Sequence, residues 1–250
     1  MRKFGLIGYP LGHSFSKTYF TEKFLNEHIT DCSYENFPIN NLKLLSKLLS
    51  EEPDLLGLNI TIPYKSQIFR FIDVIDMEAR EIGAVNVLKI KRSAGRIQLY
   101  GFNSDVTGIY DSLAPFIKKN IKNSIVLGTG GSSRAVCHVL KKFGLNITLV
   151  SRNKRPGFLD YTDIDSGILT NASLIVNTTP LGMFPNTETR PEINYGLLNE
   201  SHILFDLVYN PEVTFFLRSG MERGCSVITG LKMLHSQAEK SWQIWNDENL

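Results

Sequence analysis

Polar side chains able to form hydrogen bonds and transfer protons follow the apolar runs of the first hundred residues. They are hydroxyls, amides, one amine and one carboxylate, at Ser14, Ser16, Asn59, Thr61, Lys65, Asn86, Asn103 and Asp105. Open α/β sheets bind ligands at the carboxyl ends of their strands, where these residues are predicted to lie. A small polyhydroxylated ligand suits the set, because each ligand hydroxyl needs a donor and an acceptor, whereas a phosphorylated ligand calls for more cations.

A second set of residues has the spacing of a nucleotide-binding turn. The apolar run from Ser124 to Leu127 leads directly into small residues and then an apolar helix, with Gly128, Thr129, Gly130, Gly131, Ser132 and Ala135 in the turn. Glycines there let phosphate oxygens approach backbone N–H groups at a helix N-terminus. Gly128 and Gly130 fit the first two positions of the dinucleotide fingerprint, while Ala135 replaces the third glycine two residues late. An ordinary tight turn is the alternative interpretation.

The following predicted strand ends at Ser151 and Arg152, where an NAD-preferring site usually presents an acid to the ribose hydroxyls. No acid stands there, which also argues against a methyltransferase. Arg152 can pair with a 2′-phosphate, and Lys154 and Arg155 add positive charge. This segment therefore favours NADP(H), with a solvated basic loop as the alternative.

Apolar periodicity predicts the elements that must position these residues. In the first hundred residues, strand-like runs alternate with helical patterns and end in a hairpin of residues 85–90 and 97–100. A helix follows residue 105, and then a second alternation has a helix at 132–143 and strands at 124–127, 146–150, 172–176, 203–207 and 225–228. Residues 230–245 have the pattern of an amphipathic closing helix. The chain is therefore predicted to be an α/β protein of two domains, with a boundary near residue 105.

Composition indicates which partners and which cellular compartment to expect. The chain has 250 residues, a formal net charge of +2 and no long run of like charges, so we expect neither a nucleic-acid nor a membrane partner. The first residues have the pattern of neither a signal peptide nor a membrane span. Cys32, Cys137 and Cys225 are far apart, which predicts reduced thiols in the cytoplasm. The histidines lack metal-ligand spacing, and no metal is assigned.

Longer motifs, in matching order along nearly the whole chain, resemble the shikimate dehydrogenase family. They read HSFS, NITIPYK, GAVN, GFNSD, NTTPLGM, DLVYNP and GLKML, and begin at His13, Asn59, Gly83, Gly101, Asn177, Asp206 and Gly230, with Gln237 and Ala238 after the last. The chain departs from the family pattern at Lys17, where proline is common, at Val87 and Ser104, where threonine is usual, and in the Ser-Arg-Asn of the cofactor loop. None of these departures removes a catalytic group.

The resemblance implies an N-terminal open α/β substrate domain and a Rossmann-type dinucleotide-binding domain, separated by a cleft. The substrate domain is expected at residues 1–105, with the C-terminal helix at 230–250 returning to complete it, and the NADP-binding domain at 106–229. Implied substrate contacts are Ser14, Ser16, Asn59, Thr61, Asn86, Tyr209 and Gln237. Implied cofactor contacts are Gly128, Thr129, Gly130, Gly131, Ser132, Ser151, Arg152, Arg155, Leu207 and Gly230.

The activity implied by the resemblance is reversible NADPH-dependent reduction of 3-dehydroshikimate to shikimate, in the pathway to the aromatic amino acids. Lys65 and Asp105 would be the catalytic pair. A lysine ammonium can protonate the ketone oxygen that receives hydride, and the carboxylate can hold the lysine and bind a substrate hydroxyl. Without the resemblance, Lys65 is more often a surface lysine and Asp105 more often a helix N-cap.

Three other functions compete with this one. A quinate or quinate/shikimate dehydrogenase must accommodate one more hydroxyl, and the retained Ser16 favours shikimate. A non-catalytic nucleotide-binding relative would be expected to lose Lys65 or Asp105, and both are present. A tetrahydrofolate-pathway dehydrogenase has no evident use for the paired serines and Gln237. A monomer or a homodimer is expected.

Overall fold

The computed structural model describes residues 1–11, 15–93, 95–154 and 156–249. The chain divides into two compact units, the first formed by residues 1–104 and 238–250 and the second by residues 105–237. Ser14 and Arg155, predicted to contact substrate and cofactor, lie outside the described residues.

The first unit is built on a mixed sheet. Its strands are β1 (Arg2–Gly8), β2 (Cys32–Pro38), β3 (Leu55–Ile60), β4 (Val74–Ile75), β5 (Val87–Ser93) and β6 (Arg96–Phe102). They lie in the order β2-β1-β3-β5-β6-β4, with β1 parallel to β2 and β3 and with β5 antiparallel to β3 and β6. Helices α1 (Phe15–Asn26), α2 (Leu45–Glu51) and α3 (Met77–Ile82) and short 3-10 turns at Leu42–Leu44 and Ile68–Phe71 connect them.

Both faces of this sheet are apolar, because successive side chains of a strand point to opposite faces. On β1, Phe4 and Leu6 join an aromatic cluster with α1, while Ile7 joins the core beside α2. Within the aromatic cluster, Phe20 stacks on Tyr34 with ring centroids 4.7 Å apart. Helices are therefore needed on both sides of the sheet.

Strand direction brings several predicted site residues to one edge of the first sheet. Asn59 at the end of β3 lies opposite Val87 at the start of β5, and Val87 lies opposite Phe102 at the end of β6. The segments that follow β3 and β6 and the segment that precedes β5 consequently leave the sheet at the same edge. Those segments carry Thr61 and Lys65, Asn103, and Asn86.

The second unit is built on a parallel sheet. Its strands are β7 (Asn123–Leu127), β8 (Asn146–Val150), β9 (Leu174–Asn177), β10 (Ile203–Asp206) and β11 (Ser226–Ile228), in the order β11-β10-β9-β7-β8. The order reverses at β7, so the segment after β7 lies where doubly wound sheets bind ligands. The helices that begin in this unit are α4 (Asp105–Leu113), α5 (Gly131–Lys142), α6 (Ser166–Asn171), α7 (Phe215–Met221) and α8 (Gly230–Asn246), with 3-10 turns at Tyr161–Asp163 and Tyr195–Leu197.

The α/β prediction, with a Rossmann-type second sheet, is confirmed. The helix after residue 105 ends at Leu113. Strand β4 and helices α3, α6 and α7 were not predicted, although α3 has clear end signals. Asp76 accepts hydrogen bonds from the backbone N–H groups of the first turn at 3.0 and 3.3 Å. Gly83 ends the helix with φ +70°, a conformation that favours glycine.

Helix α8 begins in the second unit and ends in the first, so the predicted return of the C-terminal helix is confirmed. The compact first unit resumes at residue 238, whereas the domain was expected to resume at residue 230. The first turns of α8 stay with the second unit because Met233 packs on Gly108 of α4. A Cβ added at Gly108 would collide with the backbone oxygen of Met233.

The C-terminal turns of α8 are fixed to the first sheet. Trp245 Nε1 donates to the Leu88 carbonyl at 2.9 Å. The Lys89 ammonium donates to the carbonyls of Ile244, at 3.2 Å, and Asp247, so that a buried cation neutralises the helix C-terminus. Burial, reinforced by Lys91, lowers the pKa of Lys89.

In the part of the chain that the structure describes, no helix has the length and apolar character needed to cross a bilayer. Nor do the described His, Cys, Asp and Glu residues form a group of three or more that could hold a metal ion.

We expect Gly57→Ala to lower the free energy of unfolding by about 1–3 kcal/mol, because its Cβ would overlap the Trp245 indole. Denaturant unfolding followed by tryptophan fluorescence measures this loss. Gly167→Ala is the matched control, because a Cβ in α6 would approach only the Asp165 carboxylate, at 3.3 Å. The control should be neutral or stabilising. Identical midpoints for Gly57→Ala and the unchanged chain would contradict this packing.

Candidate active site

Asn59 and Asn86 belong to one buried hydrogen-bond network in the first unit. Asn59 Nδ2 donates to Ser241 Oγ at 2.9 Å and lies 3.5 Å from the Asn86 carbonyl oxygen. Asn86 Nδ2 donates to Ser104 Oγ at 3.1 Å, and Asn86 Oδ1 accepts from the Ser104 N–H at 2.7 Å. The two serine hydroxyls are 3.1 Å apart. Since all four residues are buried, the network fixes both amides in place.

Tyr34 extends this network toward Ser16. Its hydroxyl donates to Asn59 Oδ1 at 2.9 Å, and the Ser16 hydroxyl in the first turn of α1 hydrogen-bonds to it. Burial raises the pKa of Tyr34, while the Ser16 hydrogen bond opposes that rise, so the phenol stays protonated. Three predicted substrate residues, Ser16, Asn59 and Asn86, are thus joined through side chains that the sequence analysis did not single out.

Thr61 and Lys65 follow β3 on a segment held by backbone hydrogen bonds. The Thr61 N–H donates to the Ile7 carbonyl at 3.0 Å, and the Lys65 carbonyl accepts from the Val85 N–H at 2.8 Å. The Lys65 side chain is partly exposed. A rigid backbone therefore carries the amine at the same sheet edge as the two asparagines.

Asn103 contributes a buried acceptor at this edge. Its Nδ2 donates to the Ala84 carbonyl at 2.8 Å, which ties the segment after β6 to the segment before β5. Its Oδ1 is buried and has no hydrogen-bond partner among the described residues. A buried amide oxygen without a partner is costly, so this oxygen needs a donor that the described residues do not supply.

In the second unit, the glycine turn after β7 leads directly into the N-terminus of α5. Gly128 has φ +106°, and a Cβ there would lie 2.6 Å from Thr178 Oγ1, so glycine is required. Gly130 is the N-cap of α5 and gives it no side-chain hydrogen bond, whereas Asp165 and Thr214 cap α6 and α7. A Cβ at Gly130 would meet nothing within 4 Å, so internal packing does not require this glycine. Thr129, Gly131 and Ser132 complete the turn.

The loops after β9 and β10 are held together by a buried carboxylate. Asp206 accepts hydrogen bonds from Asn177 Nδ2 at 3.0 Å, Thr214 Oγ1 at 2.6 Å and the Val208 N–H at 3.0 Å. A Cβ at Gly230 would lie 2.7 Å from the Leu207 carbonyl oxygen, so the start of α8 touches the backbone of the β10 loop. The predicted cofactor residues Leu207 and Gly230 are therefore adjacent.

The basic segment after β8 carries less net charge than the sequence suggests. Lys154 forms an ion pair with Asp163 at 2.9 Å, and Asp163 raises the pKa of Lys154. Arg152 is exposed, and its charge lowers the pKa of Tyr161 against the larger rise that burial causes. Ser151 is buried, and its Oγ accepts from the Asn153 N–H at 3.3 Å.

The remaining predicted residues, Asp105, Tyr209 and Gln237, lie in the second compact unit. Asp105 is buried and is the first residue of α4, where the helix dipole favours a carboxylate. Tyr209 lies in the loop after β10, and burial raises its pKa. Gln237 Nε2 donates to the Leu234 carbonyl of its own helix at 3.1 Å.

Comparisons with known proteins give these features a context. The family model of the shikimate dehydrogenase substrate binding domain matches residues 6–88. A curated shikimate dehydrogenase (NADP(+)) of Methanococcus aeolicus is 34% identical over 96% of this chain and 90% of its own length. The chain belongs to the shikimate dehydrogenase family.

Solved structures of shikimate dehydrogenases have the same fold. The Aquifex aeolicus protein is 31% identical, with a TM-score of 0.85 over 100% of this chain and 94% of that chain. The Thermus thermophilus protein, crystallised with NADP(H) and shikimate, is 29% identical, with a TM-score of 0.83 over 98% of this chain and 94% of that chain. The matches span both compact units.

As in a dinucleotide-binding shikimate dehydrogenase, the second unit has groups that fit a phosphorylated cofactor. Gly130, the N-cap of α5, has no side chain to cap the helix, and the backbone at Gly130 is open to close approach. A helix N-terminus of this kind binds phosphate through its N–H groups and its dipole. The exposed guanidinium of Arg152 is of the type that pairs with a 2′-phosphate.

Asp206 makes the stability of this chain depend on pH. Burial raises its pKa from 3.8 to about 6 despite three hydrogen bonds that lower it. Between pH 4 and pH 6 the folded chain keeps a proton that the unfolded chain releases, so the free energy of unfolding falls as pH rises, by about 3 kcal/mol.

We expect Asp206→Asn, which is neutral at every pH, to lose this contribution. The difference in free energy of unfolding, variant minus unchanged chain, should rise by about 3 kcal/mol from pH 4 to pH 7. Urea denaturation at each pH measures it. Asp31→Asn is the control: Arg2 lowers the pKa of exposed Asp31 by hydrogen bonding, so its carboxylate is ionised in both states over most of this range and the difference should stay nearly constant. A pH-independent difference for Asp206→Asn would show that Asp206 ionises normally.

Proposed function

We propose that this chain catalyses the reversible NADPH-dependent reduction of 3-dehydroshikimate to shikimate, in the pathway to the aromatic amino acids. The observation that carries the proposal is 34% identity to a shikimate dehydrogenase (NADP(+)) over 96% of the chain. The buried amide and hydroxyl groups at the edge of the first sheet support it, because they suit a ligand with several hydroxyls. Lys65 supports it because a proton donor stands on the same edge.

We assign substrate binding to a set of hydroxyl, amide and phenol side chains. They are Ser14, Ser16, Asn59, Thr61, Asn86, Tyr209 and Gln237. Ser16, Asn59 and Asn86 are supported by the network that fixes them. Each fixed group loses little side-chain entropy on binding, which favours affinity.

NADPH, when bound, supplies the hydride that adds to the ketone carbon. The Lys65 ammonium gives its proton to the ketone oxygen as that carbon is reduced, and the neutral amine regains a proton from solvent. In the reverse direction the neutral amine takes the hydroxyl proton. Asp105 has a role in the same step. Its carboxylate favours the charged form of the lysine and accepts a hydrogen bond from a substrate hydroxyl.

We assign NADP(H) binding to the second unit. Gly128, Thr129, Gly130, Gly131 and Ser132 form the phosphate turn, Leu207 and Gly230 lie beside each other near the end of β10, and Ser151, Arg152 and Arg155 serve the 2′-phosphate end. Because Lys154 is paired with Asp163, we assign the preference for NADPH to Arg152 and Arg155.

In this assignment residues 1–105 with 230–250 form the substrate domain and residues 106–229 the NADP domain. The division into compact units at 104 and 238 supports a discontinuous first domain. We propose a cytoplasmic enzyme acting as a monomer or a homodimer.

Lys65→Ala should lower kcat for 3-dehydroshikimate reduction by about 100- to 10,000-fold, because the ketone oxygen loses its proton donor. NADPH absorbance measures turnover. Lys47→Ala, which removes an exposed lysine 3.6 Å from Glu51, is the control and should keep full activity. The proposed function is wrong if the unchanged chain turns over no faster than Lys65→Ala. Faster turnover with quinate than with shikimate would instead indicate a quinate dehydrogenase.

Arg152→Ala should raise KM for NADPH by roughly 10- to 100-fold and change KM for NADH little, because only NADPH carries the 2′-phosphate that a guanidinium binds. Initial rates at varied NADPH and NADH give both constants. Arg223→Ala, an exposed arginine of the same unit, is the control. A parallel rise in both KM values would contradict a role in 2′-phosphate recognition.

A further inference from the structure

The hydrogen-bonding capacity of Asn59 is largely committed within the protein. An asparagine side chain has two N–H donors and two acceptor lone pairs. Nδ2 faces Ser241 Oγ at 2.9 Å and the Asn86 carbonyl at 3.5 Å, so both donors point at protein oxygens. Oδ1 accepts from Tyr34 at 2.9 Å, which uses one of its two lone pairs. The group that remains for a ligand is an acceptor.

The amide orientation follows from the chemistry of its neighbours. The Asn86 carbonyl can only accept, so a flipped amide would set two oxygens against each other. The Tyr34 hydroxyl donates to Oδ1 and so favours the same orientation of the amide. Its ring is buried and stacks on Phe20 with centroids 4.7 Å apart, which fixes the direction of the phenol.

Ser241 holds the other side of the amide. It is fully buried on α8, and its Oγ accepts from Asn59 while lying 3.1 Å from Ser104 Oγ. Tyr34 on β2 and Ser241 on α8 therefore contact opposite ends of the same side chain.

We infer that Tyr34 and Ser241 are positioning residues that hold Asn59 as a hydrogen-bond acceptor, so that the substrate must present a hydroxyl donor to it. The inference rests on the proposed function, because it takes Asn59 as a substrate ligand. It adds a rule of selectivity: a substrate group that can only accept is rejected at this position, since it would face an amide oxygen.

Steady-state kinetics with saturating NADPH test the inference. Tyr34→Phe removes the donor to Oδ1 and keeps the ring, and should raise KM for 3-dehydroshikimate by about 3- to 10-fold with kcat within about two-fold. KM for NADPH should stay unchanged. Tyr195→Phe is the matched control: its buried hydroxyl donates to the Pro191 carbonyl at 2.9 Å in the second unit, and no kinetic change is expected.

A double-mutant cycle separates positioning from general damage. On an Asn59→Ala background, Tyr34→Phe should have no further effect on KM, because the side chain through which it acts is gone. Ser241→Ala tests the other contact of the Asn59 amide. The double variant Ser241→Ala, Tyr34→Phe should raise KM by less than the product of the two fold-increases measured for the single variants.

Two kinetic results would overturn the inference while the proposed function stands: an unchanged KM in Tyr34→Phe, or an equal rise of KM on the Asn59→Ala background. Absence of NADPH-dependent turnover in the unchanged chain would overturn both.

Discussion

The contact between the Trp245 indole and the backbone of Gly57 fixes the last turns of α8 on the first sheet. The indole hydrogen bond to Leu88 and the Lys89 ammonium at the helix end hold the same turns. Ser241 lies one helical turn earlier, so this docking sets where its hydroxyl meets Asn59. The amides at the sheet edge consequently depend on a helix that comes from the far end of the sequence.

Burial of polar groups explains why the edge is organised as a network. Each buried donor or acceptor costs free energy unless it is paired, and Asn59, Asn86, Ser104 and Ser241 satisfy one another. The second unit solves the same problem around Asp206, where Asn177 and Thr214 supply donors. In both units rigid, paired groups support loops that carry the candidate ligand-binding residues.

Much of this architecture could be predicted from local sequence patterns. All strands but the two-residue β4, and the glycine turn, were predicted because apolar runs and the glycines at 128 and 130 are signals within a few residues. Tyr34 and Ser241 could not be found this way, because Asn59 meets them only after β2 and α8 have packed on the sheet. The Lys154 ion pair was missed for a related reason: Asp163 lies nine residues away, and only the fold of the intervening loop brings it close.

The discontinuous first unit also has a consequence for biosynthesis. A ribosome makes the first 104 residues and then all of residues 105–237 before Ala238 and the turns after it emerge. At 5–20 residues per second, Phe4 and Phe20 are made roughly 10–50 seconds before the helix that covers them. Once residue 237 has been made, the second unit has all of its chain, while the first still lacks residues 238–250. The later half of the sequence can therefore finish folding before the earlier half, against the usual order of translation.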